Sequence, residues 1–242
     1  MVVLVTGGSK RVGRAIVLEF ARAGWDTGIH YRRSPALASE VAAQVLTLGR
    51  RARTVQGELT DAACWPNLIE QTLQEFGRLD CLVNSASMFL HDKPDTVEAF
   101  DASTWESMFA TNVTAPMALS HFARNHLAES GQGSIVNLCD ISAERPWAKH
   151  LAYCSSKAAL VALTKGLAKA LAPQIRVNGV SPGIAVFPES YSPDLRRRLT
   201  EQVPLRREGT PEEIARVVRF LAETAEYITG QIIAVDGGRS IV

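Results

Sequence analysis

Short apolar segments alternate along this chain with longer segments that have the periodicity of amphipathic helices, and this alternation restricts the fold more than any other feature. Residues 2–5, Val-Val-Leu-Val, are fully apolar, as expected of a parallel strand that is buried on both faces. Alternating strands and helices form right-handed crossovers, so we predict a single-domain, doubly wound α/β fold with a parallel sheet and helices on both faces. The other predicted strands are 26–31, 52–56, 79–84, 134–138, 175–180 and 231–235, and the helices are 11–23, 36–48, 61–76, 103–127, 153–171 and 211–222.

The composition and charge of the chain argue against several classes of partner. Its 242 residues, with no repeat, low-complexity tract or linker, are enough for one large core. A formal net charge of +1 gives no general attraction to nucleic acid or to an anionic membrane, and no apolar run is long enough to span a bilayer. The four cysteines lack paired ligand spacing, so we expect no metal site, reduced thiols and a cytoplasmic protein without a targeting peptide.

The first predicted strand is followed by a glycine-rich turn that opens the first predicted helix, Thr6-Gly7-Gly8-Ser9-Lys10-Arg11-Val12-Gly13. Glycines in this context let backbone amides and the helix dipole approach a pyrophosphate. Ligands of doubly wound sheets bind at the carboxyl ends of the strands. We therefore predict a dinucleotide site at this turn, with contacts from Gly7, Lys10, Arg11, Val12 and Gly13.

The second predicted strand ends in a basic segment, His30-Tyr31-Arg32-Arg33-Ser34. An NAD enzyme of this fold is expected to place an acidic residue here for the adenosine ribose, whereas two guanidiniums and a hydroxyl suit a 2′-phosphate. The segment therefore predicts NADPH as the cofactor. After the third strand, Glu58 and Leu59 are expected to lie near the adenine.

Tyr153 and Lys157 lie four residues apart, so a helix places both side chains on one face. Taken alone, the pair fits an ordinary half-exposed helix face equally well. If it is catalytic, the ammonium favours the phenolate, and we expect it to lower the pKa of Tyr153 towards the working pH of a general acid. Asp140, thirteen residues before Tyr153, adds a carboxylate, which suits a substrate whose reduced atom becomes basic, such as an imine nitrogen.

Taken together, these motifs resemble the short-chain dehydrogenase/reductase family over nearly the whole chain. The resemblance implies a Rossmann-like fold in which Asn112 completes a proton relay with Tyr153 and Lys157 through water, and in which Lys157 holds the nicotinamide ribose. It also implies cofactor contacts after the fourth and sixth strands. The contacts are Asn84, Ser85 and Ala86 after the fourth strand, and Pro182, Gly183 and Ile184 after the sixth. The matching elements are the turn at 6–13, Asn84-Ser85-Ala86, Asn112, the Tyr153/Lys157 pair, Ser181-Pro182-Gly183 and Asp236-Gly237-Gly238.

Two departures from the usual family pattern resemble the pteridine reductase branch, which includes dihydromonapterin reductases. Arg11 stands where the family turn has glycine, and Asp140 stands where the family has serine. The resemblance implies that Ser87 contacts a pterin and that Phe89 stacks on it. The guanidinium of Arg11 can contact both the pyrophosphate and the edge of the pterin. The candidates for the outer wall of this site, or for ordinary packing, are Phe187, Met88 and Trp147.

The predicted function is NADPH-dependent reduction of a C=N bond in a pterin, a dihydropterin or dihydrofolate. Hydride from the nicotinamide would reach a ring carbon while Tyr153, with Asp140 alongside, delivers a proton to the adjacent nitrogen. The carboxylate would stabilise the positive charge that develops on that nitrogen. The sequence leaves open which pterin or folate is the substrate.

Two other functions stay open at this point. Ser142, close to Asp140 in the chain, could act as the oxyanion donor of a ketone-reducing enzyme such as a 3-oxoacyl reductase. That interpretation requires separate explanations for Asp140, Arg11 and Phe89. A non-catalytic nucleotide-sensing protein is disfavoured because the predicted relay set is complete.

The segment at about 183–207, here termed the lid, interrupts the alternation and is rich in proline. Irregular connections of this length often cover binding sites, so we expect a mobile lid over the substrate with a short helix at 193–202. We also expect a homotetramer, partly from the family resemblance and partly because the helix at 153–171 has more apolar residues than one sheet face needs. These residues are Ala158, Leu160, Ala162, Leu163, Leu167 and Leu171.

Overall fold

The fold is a parallel sheet of seven strands with helices on both faces. A computed structural model describes residues 1–90, 95–188 and 190–242, and over these residues the strand order is β3-β2-β1-β4-β5-β6-β7. The doubly wound fold predicted from the sequence is confirmed, and each strand begins and ends within two residues of its predicted bounds. The strands are β1 Val2–Val5, β2 Asp26–Tyr31, β3 Ala52–Gln56, β4 Cys81–Asn84, β5 Gly133–Leu138, β6 Ile175–Pro182 and β7 Ile232–Val235.

The connections between the strands contain the predicted helices, with one difference. The helix predicted at 103–127 is divided by a π-helical turn, Ala110–Thr114. Pro116, which follows this turn, has no N–H with which to close the regular α-helical hydrogen bond to the Asn112 carbonyl. The helices are α1 Arg11–Arg22, α2 Pro35–Thr47, α3 Cys64–Phe76, α4 Ala102–Phe109, α5 Ala115–Glu129, α6 Leu151–Leu171, α7 Pro193–Glu201 and α8 Pro211–Glu223, and 3₁₀ turns occupy Ile141–Ala143 and Arg239–Ile241.

Alternate side chains of each strand enter two different apolar layers. Val3 and Val5 of β1 pack in the layer of α1, α2 and α8, whereas Val2 and Leu4 pack in the layer of α3, α5 and α6. Full burial of a Val or Leu side chain contributes about 1.5–3 kcal/mol, so both layers hold the sheet in place. None of the helices in the described parts of the chain is long and apolar enough to cross a membrane.

The parallel pairing brings the carboxyl ends of the strands to one edge of the sheet. β1 pairs with β2 on one side and with β4 on the other. The chain therefore leaves β1 and β4 at adjacent positions and continues from them towards opposite sides of the sheet. Ligands of doubly wound sheets bind in the crevice at such a point. The segments that follow β2, β5, β6 and β7 end at the same edge, and this edge carries the candidate site.

Candidate active site

The glycine-rich turn brings the backbone after β1 against the loop after β4. Gly7 has a φ of 66°, and a Cβ there would lie 3.0 Å from the Cα of Ala86. A Cβ on Gly13 would lie 2.2 Å from the Gly7 carbonyl oxygen. Glycine at these positions lets α1 begin close to the edge of the sheet, with its unpaired amides available to an anion.

Arg11 is the first residue of α1 and has a φ of 50°, in the left-handed region that favours glycine. Backbone strain of this kind is concentrated at binding sites. The side chains of Arg11 and Lys10 are exposed, whereas Val12 packs against the apolar layer. Two cations therefore stand at the positive end of the α1 dipole, where an anionic ligand is favoured.

His30, predicted as a cofactor contact, supports the turn from below. The backbone N–H of Gly7 donates to His30 Nδ1 at 3.1 Å, and His30 Nε2 lies 3.1 Å from the Gly57 carbonyl oxygen. These partners require a neutral ring that carries its proton on Nε2. Burial lowers the pKa of His30, which agrees with this assignment.

The two arginines at the end of β2 differ in their partners. Arg32 Nε forms an ion pair of 2.7 Å with Glu58 Oε2, whereas Arg33 is exposed and has no ion pair with any described residue. Ser34 is the N-cap residue of α2, and its side chain makes no capping hydrogen bond. Arg33 and Ser34 are therefore free to contact a ligand. The other residues predicted here are Tyr31, which is partly buried, and Leu59, which is buried.

Side-chain hydrogen bonds fix the end of β4 and the loop that follows. Thr6 Oγ1 accepts from the backbone N–H groups of Ser85 at 2.9 Å and Ala86 at 3.0 Å. Asn84 Nδ2 donates to Asn137 Oδ1 at 2.8 Å. Asn84 Oδ1 is buried and accepts no hydrogen bond from the described residues. Buried acceptors are normally paired, so this atom fits a donor from water or from a ligand.

Tyr153, Asp140 and Lys157 come together where β5 ends beside α6. The Tyr153 hydroxyl donates to Asp140 Oδ2 at 2.8 Å. The other oxygen of Asp140 accepts from the backbone N–H of Ser142 at 2.8 Å, which orients the carboxylate. Lys157 Nζ lies 5.8 Å from the centre of the Tyr153 ring and donates to the Leu138 carbonyl at 2.7 Å. The structure thus brings together three of the four predicted catalytic side chains.

The surroundings of Tyr153 raise its pKa well above the usual range. Burial is the largest cause, the charge and hydrogen bond of Asp140 add to it, and a hydrogen bond with Ser87 opposes it. Burial also lowers the pKa of Lys157, while the charge of Asp140 raises it. The expectation that Lys157 lowers the pKa of Tyr153 is therefore wrong for this structure, because burial and Asp140 outweigh the ammonium, which donates to Leu138.

Asn112, the fourth predicted catalytic residue, lies in the π-helical turn and is buried. Its Nδ2 donates to the Met88 carbonyl at 3.1 Å and to Ser156 Oγ at 2.9 Å. Its Oδ1 accepts from the Met88 N–H at 2.8 Å and from Ser87 Oγ at 3.2 Å. The side chain is fully engaged in joining the loop after β4 to α6. A relay role for Asn112 would have to use its backbone carbonyl, which Pro116 leaves without its regular partner.

Aromatic rings surround Tyr153. The centroid of Phe89 lies 4.6 Å from that of Tyr153 and 4.9 Å from that of His150. Trp147 stacks on Tyr153 with centroids 6.1 Å apart and ring planes 18° apart. Ser87, in the same loop as Phe89, is exposed. These rings give the site a flat, apolar surface of the kind that stacks on a planar heterocycle.

Phe187, predicted to contact the substrate, is buried within the lid. Its ring centroid lies 5.9 Å from that of Tyr191, and the guanidinium carbon of Arg196 lies 5.8 Å from the ring centre. Arg196 also donates to the carbonyls of Tyr191 and Pro188 at 3.1 and 3.0 Å. The short helix predicted in the lid is present as α7, while Glu189, inside the predicted lid, lies outside the described residues.

The predicted cofactor contacts after β6 form an anchored base for the lid. Pro182 is in register with Val235 of β7, and the Gly183 N–H donates to the Val235 carbonyl at 3.0 Å. A Cβ on Gly183 would lie 2.7 Å from the Cα of Asp236. The carbonyl of Ile184 accepts from the Gly209 N–H at 2.8 Å, which closes the base of the lid.

Ser142, the candidate oxyanion donor of the ketone-reducing alternative, is completely buried. Its exposure is 0%, and its Oγ has no geometric hydrogen-bond partner among the described residues. The backbone of Ser142 serves the site by orienting Asp140. In this structure the hydroxyl is therefore not presented to a substrate.

Sequence reasoning missed His150, Ser156 and Arg239. His150 precedes α6 and contacts Phe89, and Ser156 holds Asn112. Arg239 lies in the 3₁₀ turn after β7, within electrostatic range of Asp140. Its place directly after the last strand, at the edge where the other strands end, is the signal that could have identified it.

Comparison with known proteins finds similarity over nearly the whole chain. A family model described as enoyl-(acyl carrier protein) reductase matches residues 8–240. An uncharacterised oxidoreductase from Methylorubrum extorquens is 34% identical over 98% of this chain and 96% of its own length. A 3-oxoacyl-[acyl-carrier-protein] reductase from Staphylococcus aureus is 31% identical over 97% of this chain and 96% of its own length.

Solved structures of another named activity are also similar. FolM alternative dihydrofolate reductase 1 from Brucella canis, complexed with NADP, has a TM-score of 0.93 and 36% identity, covering 100% of this chain and 94% of its own. The protein of the same name from Brucella suis, in complex with NADP, has a TM-score of 0.90 and 35% identity, covering 100% and 95%. The named activities of these relatives differ, so the substrate has to be argued from the site.

Proposed function

The chain belongs to the short-chain dehydrogenase/reductase family, and we propose that it uses NADPH to reduce the C=N bond of a pterin, a dihydropterin or dihydrofolate. The observation that carries this proposal is the 2.8 Å hydrogen bond from the Tyr153 hydroxyl to Asp140 Oδ2. A carboxylate here stabilises a nitrogen that gains positive charge and repels a ketone oxygen that gains negative charge. The Brucella structures, named dihydrofolate reductases and determined with NADP, support the substrate class and the cofactor.

The residues at the sheet edge fit a dinucleotide that carries a 2′-phosphate. The close approach of Gly7 and Gly13 exposes the start of α1 to a pyrophosphate, and Arg11 and Lys10 add positive charge there. Arg33 would hold the 2′-phosphate, and the family resemblance implies that Lys157 holds the nicotinamide ribose. When bound, NADPH supplies the hydride. The further 2′-phosphate contacts would be Arg32 and Ser34.

Tyr153 and Asp140 together provide the proton. The raised pKa of Tyr153 keeps its phenol protonated near neutral pH, and Asp140 holds that proton in a hydrogen bond. The imine nitrogen takes the Tyr153 proton as the hydride is delivered to the adjacent carbon, so the nitrogen gains positive charge while the O–H bond of Tyr153 breaks. The buried ammonium of Lys157 offsets the negative charge left on the pair. Water at the backbone carbonyl of Asn112 would return a proton to Tyr153.

The surroundings of Tyr153 provide the binding surface for the heterocycle. Phe89 supplies a stacking face, and Ser87 is exposed beside it for a hydrogen bond to the ring edge. Arg11 would contact both the pterin edge and the pyrophosphate, which explains why an arginine occupies a strained position that glycine would fill without cost. The site is thus suited to a flat, polar-edged ring.

A second candidate function is the reduction of 3-oxoacyl compounds. The Staphylococcus aureus relative, which carries that activity in its name, supports it at 31% identity over 97% of this chain. This function would need a donor to the developing oxyanion beside Tyr153. Ser142 is the candidate donor, and its complete burial counts against it.

A screen of NADPH oxidation separates the candidates. The substrates are dihydromonapterin, dihydrobiopterin, dihydrofolate and a fully oxidised pterin, with a β-ketoester as the comparison. We expect kcat/KM for at least one pterin or folate to exceed that for the β-ketoester by about a hundredfold, which corresponds to ~2.7 kcal/mol of transition-state stabilisation. Rapid reduction of the β-ketoester alone would replace this proposal with the second one. Nucleotide binding without any turnover would indicate a sensor.

A further inference from the structure

The C-terminal turn, defined here as residues 236–241, is held in place from two sides. Asp236 Oδ1 accepts from the Gly238 N–H at 3.0 Å, and its Oδ2 accepts from the Ser240 N–H at 2.6 Å. From the loop after β5, Arg145 Nη1 lies 3.2 Å from the Arg239 carbonyl oxygen and 3.4 Å from that of Ser240. The backbone of Arg239 is therefore fixed relative to the loop that carries Asp140.

The C-terminal turn also packs against the end of the lid. The Leu205 N–H donates to the Gly237 carbonyl at 3.1 Å. A Cβ on Gly237 would lie 2.7 Å from Val203, and a Cβ on Gly238 would lie 2.9 Å from Pro204. Arg239 thus lies where the lid, the C-terminal turn and the loop after β5 meet.

The guanidinium of Arg239 is half-buried but has no ion pair or side-chain hydrogen bond with the described residues. Burial lowers its pKa, while the nearby charge of Asp140, and after it Tyr191, raises it. Among the described residues, the carboxylates that raise the pKa of Arg239 are Asp140 and Asp236, and both accept hydrogen bonds from other donors. Asp140 accepts from Ser142 N–H and Tyr153 Oη, and both oxygens of Asp236 accept backbone bonds within the turn. The N–H groups of a partly desolvated cation are left without a fixed acceptor.

We propose that Arg239 binds an oxyanion on the side chain of the substrate, so that the enzyme favours pterins that carry a carboxylate or a phosphate. This inference rests on the proposed pterin reduction. Asp140 and Tyr153 mark the reacting ring, and the turn that carries Arg239 is hydrogen-bonded to Arg145 of the loop after β5 and to Leu205 of the lid. A ring substituent directed towards the lid would meet the guanidinium, whose paired N–H groups match two oxygens of one anion.

The test compares substrates that differ in one anionic group. Dihydroneopterin and its monophosphate share the ring and carbon chain, and dihydrofolate carries carboxylates. We expect the wild type to favour an anionic substrate in kcat/KM and Arg239→Gln to reduce that preference about tenfold, as for the loss of a charge-assisted hydrogen bond. If Arg239→Gln loses the preference only for dihydrofolate, the group that Arg239 binds is a carboxylate. If it loses the preference only for the monophosphate, that group is a phosphate.

Two further variants separate recognition from a general loss of charge. Arg239→Lys retains the positive charge and should restore part of the preference. Arg22→Gln removes the same charge from an exposed position in the last turn of α1, outside the lid, and should leave the preference unchanged. Equal loss of activity on neutral and anionic pterins in Arg239→Gln, with the circular dichroism spectrum retained, would overturn the proposal.

A failure of the proposed function is distinguishable from a failure of this inference. If the wild type reduces no pterin, the proposed function is wrong, and the anion site is then measured by calorimetry with p-aminobenzoyl-glutamate added to the NADP-bound protein. Binding that weakens about tenfold in Arg239→Gln supports the oxyanion site. Absent binding to the wild type, or equal binding to both proteins, contradicts it.

Discussion

A carboxylate that accepts a hydrogen bond from a buried phenol changes what that phenol can do. In this site Asp140 and burial together raise the pKa of Tyr153, so the phenolate is disfavoured and the proton stays available. Such a pair suits an acceptor nitrogen that is protonated as the hydride arrives and so gains positive charge. Lys157 remains close, but its hydrogen bond goes to the Leu138 carbonyl.

Replacing Asp140 with Ser should lower pterin reduction much more than NADPH binding, because the carboxylate is proposed to act on the nitrogen that is protonated during turnover. We expect kcat for the best pterin to fall by about 10²–10⁴-fold. Tyr153→Phe removes the donor hydroxyl and should nearly abolish turnover. Steady-state kinetics measure both effects, and fluorescence titration measures NADPH affinity. Unchanged pterin turnover in Asp140→Ser would show that the carboxylate has no part in proton delivery.

His30 makes the stability of the fold depend on pH. Burial lowers its pKa from the usual value of 6.5, so below that pH the unfolded chain takes up a proton that the folded protein resists. The contribution of His30 to the free energy of unfolding is therefore fully present above pH 6.5 and decreases as the pH falls from there. Protonation would also remove the acceptor of the Gly7 N–H.

We expect His30→Asn to lower the free energy of unfolding by about 1 kcal/mol at pH 7.5 and to flatten its dependence on pH below 6.5. Urea denaturation at several pH values measures both quantities. The same slope in His30→Asn as in the wild type would mean that His30 is not the titrating group.

At the scale of the element, we propose that the connection from β2 to α2 selects the cofactor. Arg33 and Ser34 are available to a 2′-phosphate, whereas Arg32 is shared with Glu58, which the sequence had suggested only as an adenine neighbour. Both members of this ion pair are more than a third exposed, so it stabilises the fold by at most about 1 kcal/mol. A phosphate can compete with Glu58 for Arg32 at small cost.

Glu58→Gln should release Arg32 and lower the KM for NADPH by up to about fivefold, the equivalent of a surface ion pair. Glu40→Gln, at an exposed position on α2, removes an equal charge nearby and should have no effect. Reversing the charges of both Arg32 and Arg33 should instead invert the preference towards NADH. Kinetics with the two nucleotides test this set. Weaker NADPH binding in Glu58→Gln would assign Glu58 a direct contact with the nucleotide.

At the scale of the whole molecule, the layer formed by α5 and α6 leaves an apolar face exposed. Met117 is 44% and Phe122 is 39% exposed on α5. On α6, Ala158, Ala162 and Gly166 are exposed at a spacing of four residues, so another helix can approach closely. Closed symmetric assemblies are the usual result of faces that pair with themselves.

We predict a homotetramer, which light scattering should report at four times the 26.3 kDa mass of the chain. Ala162→Glu places a charge on this face and should lower the measured mass. Ala43→Glu, at an exposed position of α2 outside this face, should leave the mass unchanged. A monomer in the wild type at micromolar concentration would refute the assembly.

Short segments of the sequence were enough to predict the fold and the edge of the sheet at which ligands of such folds bind. Periodicity and turn chemistry are properties of short windows, so the apolar run at 2–5 and the glycines of the following turn were sufficient to place β1 and α1 and to predict a nucleotide site between them. The spacing of Tyr153 and Lys157 likewise placed both on one helix face. From the sequence the substrate is a hypothesis based on Asp140, because some of the residues that surround this carboxylate, such as Lys157 and Arg239, lie far from it in the chain.

The electrostatics and the composition of the site could not be predicted from the sequence, because they depend on how distant segments pack. Whether Tyr153 titrates high or low depends on burial and on how Lys157 is directed, and neither is a property of a local window. The turn that carries Arg239 is hydrogen-bonded to the loop after β5 because parallel pairing brings the end of β7 to the edge where β5 ends. Desolvation and long-range contacts set these properties, since both arise only when distant segments pack together.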